Sequence, residues 1–250
     1  MSAERSYKTT AFVLRGQNLG EADKIYTLFT ASRGKLDAIA KGARRTKSHF
    51  AGRLEFMSEA TLTLHRGRNL DVITSAEIVH SCWNMVVRPA TFVAAHAMAE
   101  VVNAFCEPDL AQPEIYALLS AAIWSFRKAE DIRPLLPRFY LRLLDALGLA
   151  PPSGACVRCG AEFMSNASAR VDLESGGLAC IGCLMAGRDV IELSPSDVEN
   201  FQRLGAPKGG AARASSTATA TSRRAIEAFL HHHLGKRPKA GLSAEEFVRP

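Results

Sequence analysis

The chain has 250 residues and is 47% hydrophobic, enough to fill the cores of two or three modest domains. Lysine and arginine outnumber aspartate and glutamate by 31 to 25, and the resulting net charge of +6 favours a polyanionic partner. The sequence offers neither an apolar run of membrane-spanning length nor an apolar segment after its first charges, so we expect a cytoplasmic protein.

The first third of the chain is predicted to form five short β-strands. Thr61 to His65 alternates polar and apolar side chains, which is typical of a strand with one buried face. Glycine and asparagine mark the turns between such runs. The predicted strands are Thr10–Arg15, Lys24–Thr30, Gly34–Lys41, Ala60–Arg66 and Asp71–Val79. Five strands in about seventy residues fit a small closed barrel of the OB or SH3 type, and periodicity does not choose between these two.

After Pro89 the alternation gives way to long alanine-rich and leucine-rich segments. Val93, Ala97 and Val101 recur at helical spacing, and two further segments follow the same pattern. Helices are predicted at Thr91–Cys106, Glu114–Lys128 and Leu135–Leu147. Gly148 and the prolines that follow it end this helical domain.

Four of the six cysteines form two C-x2-C pairs. Cys156 and Cys159 are separated by twenty residues from Cys180 and Cys183. Each pair can turn two thiolates onto one ion, and two pairs complete a tetrahedral set with no open position. The spacing therefore predicts one structural zinc ion in a small knuckle.

Other uses of these cysteines are less well supported. A redox dithiol needs one C-x2-C motif in a βαβ context and gives no reason for a second pair. A catalytic zinc keeps one position for water, and no histidine lies among the four ligands. Gly160 and Gly182 would allow tight knuckles, and Gly176–Gly177 predicts a hairpin turn between the pairs. The remaining Cys82 and Cys106 are interpreted as buried small hydrophobic residues.

Beyond the cysteines the sequence predicts two more helices joined by a loose segment. Ser194 is the expected N-cap and Pro195 the first helical residue of a segment that includes Val198–Leu204. Gly209–Ser222 is poor in large apolar residues and is predicted to be a loop. The last helix is expected at Ser222–Leu234.

Positive charge is concentrated in the predicted barrel. Residues 1–80 carry 13 positive and 8 negative side chains, a surplus of five that holds most of the excess of the chain. Cations in a loop can contact the phosphates of a nucleic acid without reading its sequence. The alternative is a solvated loop that keeps the protein soluble. The cations of the densest stretch are Lys35, Lys41, Arg44, Arg45, Lys47 and Arg53.

Aromatic residues near this stretch have two interpretations. His49, Phe50, Tyr26 and Phe29 can offer stacking faces to unpaired bases, although such side chains are more often part of a core. The three adjacent histidines at 231–233 point in different directions on a helix, so they are interpreted as a polar helix end and not as a metal site. Weaker candidate phosphate contacts are Arg66, Arg68, Arg223, Arg224, Lys236, Arg237 and Lys239.

No nucleotide-binding or catalytic fingerprint is present. The sequence lacks G-x-x-x-x-G-K-[ST], G-x-G-x-x-G, G-x-S-x-G and H-E-x-x-H, so we expect a binding protein and not an enzyme. A zinc-ribbon transcription or RNA-binding factor would share the knuckle and the charge, and would prefer one sequence or RNA. A metalloenzyme would need an open metal position and a catalytic base, for which the sequence offers no candidate.

The order of the parts, together with several short runs, carries a resemblance to a known family. The runs are Thr10–Arg15 followed by Gly20–Lys24, Ala38–Ser48 in the barrel, and Phe139–Leu144 and Leu147–Pro151 before the knuckle. A small β-barrel, a helical domain and a four-cysteine knuckle in this order resemble the bacterial RecO family of recombinational repair proteins. The similarity runs from about Tyr7 to Leu234.

This resemblance implies that the barrel is an OB-fold and that the protein binds single-stranded and double-stranded DNA. It also implies that the protein anneals complementary strands and works with RecR to load RecA onto strands coated by single-strand-binding protein. Such a protein would be a mediator and not an enzyme, and would be associated with the nucleoid.

The expected fold is α+β and multidomain. It comprises a β-barrel at 1–82, a helical domain at 83–150, a zinc knuckle at 151–190, and C-terminal helices at 191–250 that pack on the helical domain and include a loose loop at 205–222. The expected DNA-binding residues are Lys35, Lys41, Arg44, Arg45, Lys47, Arg53, Arg66 and Arg68.

Overall fold

The computed structural model describes residues 5–183, 190–206 and 216–235. These residues form two compact units, which divide after Arg127. The barrel unit holds the predicted strands and the helices that follow them, and the cysteine unit holds the four clustered cysteines. The division lies inside the segment predicted as one helical domain, so the helices of that segment are shared between the two units.

Five strands close into a barrel in the order β1-β2-β3-β5-β4. Their bounds are β1 Ser6–Leu19, β2 Asp23–Thr30, β3 Gly34–Ala40, β4 Glu59–His65 and β5 Asp71–His80. β1 pairs with β4 through its first half and with β2 through its second half, and its register with β2 shifts between Val13 and Arg15. The five predicted strands are confirmed, and β1 extends the predicted strand by four residues at each end.

Alternating side chains fill the interior of the barrel. On β4, Ala60, Leu62 and Leu64 are fully buried, while the residues between them are partly exposed. The other strands contribute inward residues to the same core cluster, and Phe50 and Leu54 of the β3–β4 connection join it. Burying an apolar side chain of this size contributes about 1.5–3 kcal/mol, so these two residues hold the connection against the barrel.

Three helices follow the strands in the barrel unit. They are α1 Trp83–Val86, α2 Pro89–Phe105 and α3 Pro113–Lys128, and the two longer ones lie within two residues of their predicted bounds. Tyr116 of α3 packs against Phe12 and Phe29, with ring centroids 5.0 and 6.1 Å away. Its hydroxyl donates a hydrogen bond of 2.6 Å to Glu59. Tyr116 thereby joins α3 to strands β1, β2 and β4.

The segment after α2 covers the first half of β3. β3 pairs with β5 through only two residues of each strand, near the end of β3. Near the start of β3, the Asp109 amide donates a hydrogen bond of 2.8 Å to the Lys35 carbonyl. A Cβ on Gly34 would overlap the carbonyl oxygen of Leu110, and the φ of Gly34 is +67°. This close approach of two backbones therefore requires glycine.

A charged cluster lies at the same edge of the barrel. The Arg33 guanidinium donates to the Asp71 carboxylate at 3.1 Å and to the Tyr7 hydroxyl at 2.7 Å, and it also pairs with Asp109. The Tyr7 hydroxyl donates to Asp71 in turn. Burial opposes ionisation of Asp71, but hydrogen bonds from Tyr7, the Gly67 amide and Arg33 outweigh it and lower the pKa of that carboxyl.

Asp71→Asn is expected to destabilise the barrel most strongly near neutral pH, by about 2 kcal/mol, because hydrogen bonds to a charged group contribute about 1.5–3 kcal/mol. The pKa of Asp71 is lowered from 3.8, so its stabilisation is present above that value and is lost as the pH falls through the lowered pKa. Urea unfolding at neutral and acid pH should show the difference from wild type shrinking in acid. Asp37→Asn, on the exposed face of β3, is the control, and an equal pH dependence of both variants would contradict the expectation.

The cysteine unit combines three helices with a small sheet. Its elements are α4 Leu135–Ala146, β6 Ala169–Asp172, β7 Gly177–Cys180, β8 Glu192–Leu193, α5 Pro195–Gly205 and α6 Ser216–Leu234. The strands pair in the order β7-β6-β8. α4, α5 and α6 pack against one another, and Phe201 meets Phe229 with ring centroids 6.3 Å apart. The two C-terminal helices thus pack on the last helix of the predicted helical domain.

The start of α5 confirms its predicted cap, while the start of α6 corrects another prediction. The Ser194 hydroxyl accepts a hydrogen bond from the Asp197 amide, and Pro195 is the first helical residue. α5 runs to Gly205 and α6 begins at Ser216, so the predicted loose loop at 205–222 is wrong for residue 205 and for residues 216–222. Only two of the seven residues 216–222 are alanine and the other five are serine or threonine, which are weaker helix formers, so helix propensity did not indicate the first turns of α6. The rest of the predicted loose loop, residues 207–215, and the cations Lys236, Arg237 and Lys239 lie outside the described residues.

Candidate metal centre and nucleic-acid interface

The fold brings the two C-x2-C pairs to one point. The cysteine knuckle, residues 155–183, is held by the hairpin of β6 and β7, in which Ala169 faces Cys180. Gly176 has a φ of +73° and lies in the turn of this hairpin, as its sequence predicts. The Val157 amide donates to the Leu178 carbonyl at 3.0 Å, which fixes the first pair beside β7.

Each pair of cysteines lies on a tight turn. The Gly160 amide donates to the Cys156 carbonyl at 2.9 Å, and the Cys183 amide donates to the Cys180 carbonyl at 3.1 Å. Gly160 has a φ of +75°, which explains the glycine at this position. Gly182 is not among the residues with positive φ, so the second turn does not require the glycine that the sequence suggested.

The four sulfur atoms are spaced as a metal ion requires. They all lie within 4.8 Å of one another, and the Sγ atoms of Cys159 and Cys180 are 3.9 Å apart. A tetrahedron of sulfur atoms at about 2.3 Å from an ion has edges of roughly 3.8 Å. The cysteines therefore fit one metal ion. Among the described residues they form the one group of three or more histidine, cysteine or carboxylate side chains with this property.

The ionisation of the thiols also suits a cation. Burial opposes ionisation of Cys156, but amide hydrogen bonds from Cys180, Cys159 and Arg158 outweigh it and lower its pKa to about 6. Hydrogen bonding with Cys159 and Cys180 raises the pKa of Cys183 to about 12. Thiols this close together do not all ionise unless a positive charge lies among them, and a bound metal supplies that charge.

An ion pair between an exposed arginine and a buried carboxylate joins the first cysteine turn to β6. Arg158, between the first two cysteines, donates to the Asp172 carboxylate at 2.5 Å. The Asp172 side chain is only 3% exposed, and it also accepts a hydrogen bond from the Ser175 amide. The bond from Arg158 outweighs burial and lowers the pKa of Asp172 to about 2. The sequence did not predict this ion pair, because Asp172 lies on β6, fourteen residues after Arg158, and no spacing rule relates residues that far apart.

The cationic loop, residues 41–48, lies against the turn between β1 and β2. The Gly42 amide donates to the Asp23 carboxylate at 2.7 Å. The Arg44 amide donates to the Ala22 carbonyl at 2.9 Å, and its guanidinium donates to the Gly20 carbonyl at 2.5 Å. Arg44 therefore anchors the loop. The exposed cations that the anchored loop presents are Lys41, Arg45 and Lys47.

The other predicted DNA contacts do not join this group. The Lys35 ammonium is half-buried and donates to the Asn103 carbonyl at 2.6 Å, so it stabilises the last turn of α2. Arg53 is exposed and donates to the Ala76 carbonyl at 3.3 Å. Arg66 and Arg68 are exposed in the β4–β5 turn, where the Arg66 guanidinium lies 5.3 Å from the centroid of the Tyr7 ring.

The arrangement separates the exposed cations into two groups. Arg66 of the β4–β5 turn lies over the ring of Tyr7, and the Tyr7 hydroxyl accepts a hydrogen bond from Arg33 just after the end of β2. The cationic loop instead donates a hydrogen bond to Asp23 at the start of β2. The loop and the β4–β5 turn are thus linked to opposite ends of an eight-residue strand, about 25 Å long. On α6, Arg223 is half-buried and Arg224 is exposed.

The aromatic residues predicted near the loop are core residues, with one exception. Tyr26, Phe29 and Phe50 are at most 6% exposed, so they offer no stacking face, and His49 is exposed. The histidines at 231–233 occupy the last turn of α6, as their interpretation as a polar helix end requires. Cys82 and Cys106 are each 1% exposed, which confirms that they are buried.

None of the helices in the described ranges combines the length and apolar character needed to cross a membrane.

Comparison with known proteins identifies the family. Residues 1–82 match the family described as Recombination protein O N terminal, and residues 88–241 match Recombination protein O C terminal. A DNA repair protein RecO of Symbiobacterium thermophilum is 31% identical over 247 residues, covering 97% of this chain and 96% of its own. A DNA repair protein RecO of Anaeromyxobacter dehalogenans is 32% identical, covering 96% and 95%. That of Thermobifida fusca is 35% identical over 198 residues, covering 77% and 78%. This chain therefore belongs to the RecO family of DNA repair proteins.

Proposed function

We propose that this protein is a mediator of DNA repair and recombination, and not an enzyme. It binds single-stranded and double-stranded DNA, anneals complementary strands and, with RecR, helps to load RecA onto strands coated by single-strand-binding protein. It acts in the cytoplasm at the nucleoid. The observation that carries the proposal is a cationic loop anchored on a closed barrel in a chain of the RecO family.

The barrel is proposed to be of the OB type. Five strands with β1 shared between β2 and β4, and with a parallel pairing of β3 and β5, support this assignment. OB-folds use the face of strands 2 and 3 and the adjoining loops to bind oligonucleotides. In this barrel that face lies between the cationic loop at one end of β2 and the arginines of the β4–β5 turn at the other.

The cationic loop is proposed to hold DNA through its phosphates. Lys41, Arg45 and Lys47 are exposed, and contacts of this kind gain affinity by releasing counterions without reading sequence. Arg66 and Arg68 are proposed to add phosphate contacts at the other end of the face. Arg44 contributes by fixing the loop, and we assign the smallest shares to Lys35 and Arg53, whose side chains already bond backbone carbonyls.

This arrangement suits strand annealing. Annealing requires a protein that attracts two polyanionic strands, accepts any sequence and releases the duplex. Contacts to phosphates meet the first two requirements, and their sensitivity to salt keeps the complex reversible.

The four cysteines are proposed to hold one structural zinc ion. Cys156, Cys159, Cys180 and Cys183 supply four thiolates, which leave no position for substrate. When bound, zinc would supply folding free energy to the cysteine knuckle. We assign it no contact with DNA.

An annealing assay tests the proposal. Complementary fluorescent strands should pair faster with the protein present, with or without a coat of single-strand-binding protein, and at rates that do not depend on sequence. Addition of RecR should shorten the lag before RecA assembles on a coated strand. A zinc-ribbon transcription or RNA-binding factor would instead bind RNA or one sequence more tightly at the same salt concentration, and that result would overturn the mediator assignment.

A further inference from the structure

The chain has only two tryptophans, and both are exposed near the end of β5. Trp83, on α1, is 60% exposed, and Trp124, on α3, is 38% exposed. His80, the last residue of β5, meets Trp124 edge-on with ring centroids 5.2 Å apart, and Trp83 follows His80 by three residues. Exposed indoles are unusual, since aromatic side chains of this size dominate cores and interfaces.

Two arginines accompany the indoles. The Arg127 guanidinium lies over the Trp124 ring, 4.7 Å from its centroid. Arg88 donates to the Phe126 carbonyl at 3.3 Å, which joins the start of α2 to the end of α3. We call His80, Trp83, Arg88, Trp124 and Arg127 the tryptophan patch.

The carboxylate beside the patch is already engaged. Glu59 accepts a hydrogen bond from the Tyr116 hydroxyl, and its side chain is 12% exposed, 4.0 Å from His80. Glu77 is exposed farther back along β5. The patch therefore combines flat aromatic faces with a surplus of positive charge, which matches the bases and phosphates of a nucleic acid.

One segment links the cationic loop to the tryptophan patch. The β3–β4 connection begins with the cationic loop and ends at Ser58, whose hydroxyl accepts a hydrogen bond of 3.1 Å from the Cys82 amide. Midway, Arg53 is exposed and bonds the carbonyl of Ala76 on β5. A strand held by the loop can therefore continue along this connection to Trp83 without leaving the barrel unit.

We propose that the tryptophan patch is a second contact for single-stranded DNA, where unpaired bases stack on Trp83 and on the Trp124–Arg127 pair. This proposal rests on the proposed function. Every base has a flat face, so stacking accepts any sequence, as a mediator requires. Bases inside a duplex are already stacked on one another, so the patch favours single strands, whereas the phosphate contacts of the cationic loop serve both forms.

Because the patch contains both tryptophans of the chain, tryptophan fluorescence reports directly on ligands that bind there. An oligothymidylate should quench the tryptophan emission in step with the rise in anisotropy of the same oligonucleotide carrying a label. An abasic oligonucleotide of equal length keeps the phosphates and lacks the bases, so it should bind without quenching. Trp83→Ala and Trp124→Ala should each weaken oligothymidylate binding roughly tenfold and leave abasic binding unchanged.

Two further variants separate stacking from folding. Trp124→Phe keeps an aromatic face and should recover most of the affinity that Trp124→Ala loses. Met164→Ala removes another exposed apolar side chain, 74% exposed in the cysteine unit, and should bind as wild type does. Thermal unfolding of each variant checks that the fold is intact.

Other results would overturn the proposal. If the oligonucleotide binds by anisotropy, but the tryptophan emission does not change and both alanine variants bind as wild type does, the tryptophan patch is not a DNA contact and the proposed function is unaffected. If the protein binds no oligonucleotide at all, both the patch proposal and the proposed function are wrong. Quenching by an acidic peptide with an apolar end, but not by oligothymidylate, would make the patch a peptide site instead.

Discussion

Replacing Cys156 with serine is expected to abolish metal binding and unfold the cysteine knuckle, while the barrel unit stays folded. The site would keep three thiolates and gain a buried hydroxyl in the place of a ligand that is 3% exposed. Structural zinc contributes an apparent free energy of about 10–16 kcal/mol in zinc-finger peptides, so the effect is large. Elemental analysis should find one zinc per wild-type chain, and limited proteolysis should cut the variant first within residues 155–183.

Cys106→Ser is the matched control for this change. It makes the same atomic substitution at a buried cysteine in the barrel unit, outside the cluster, so it should lower stability and keep the metal. DNA affinity of Cys156→Ser should stay close to that of wild type, because the DNA contacts are assigned to the barrel unit. Full metal content in Cys156→Ser, or wild-type protein without metal after purification under reducing conditions, would refute the zinc assignment.

Local signals predicted the elements that depend on neighbouring residues. The alternation from Thr61 to His65 predicted β4 because side chains two apart share one face of a strand. Ser194 and Pro195 predicted the start of α5 because a cap acts on amides within the same turn. The cysteine pairs predicted the candidate metal centre in the same way, since two C-x2-C turns need only a hairpin to bring them together.

Contacts between residues far apart in the sequence could not be predicted from it. Lys35 carries the same charge as Lys41, but its ammonium bonds a carbonyl 68 residues away, and no spacing rule indicates this. Phe50 follows a polar loop directly, and it is buried because the barrel core extends to the β3–β4 connection. The tryptophan patch unites the end of β5 with the end of α3, and its two indoles lie 41 residues apart.

Changing Lys41, Arg45 and Lys47 together to alanine is expected to weaken DNA binding about 100-fold at 0.1 M salt, if all three contact phosphates. Each lost contact on a single strand should reduce the slope of log affinity against log salt by about 0.7, so the slope should fall by about 2. Arg44 is left unchanged, because it bonds the turn between β1 and β2 and its loss would displace the loop. A labelled oligonucleotide titrated at several salt concentrations measures both quantities.

The matched control removes three partly exposed cations from the cysteine unit: Arg133, Arg142 and Arg203. The control lowers the net charge by the same amount as the loop variant. If the loop cations acted only through long-range attraction of DNA, the two variants would therefore lose the same affinity. A shallower slope in the loop variant alone would locate the phosphate contacts in the cationic loop. Equal binding of the loop variant and wild type would make the loop a solvated surface. The tryptophan patch would then hold the strand mainly through its bases, with a weaker dependence on salt than phosphate contacts produce.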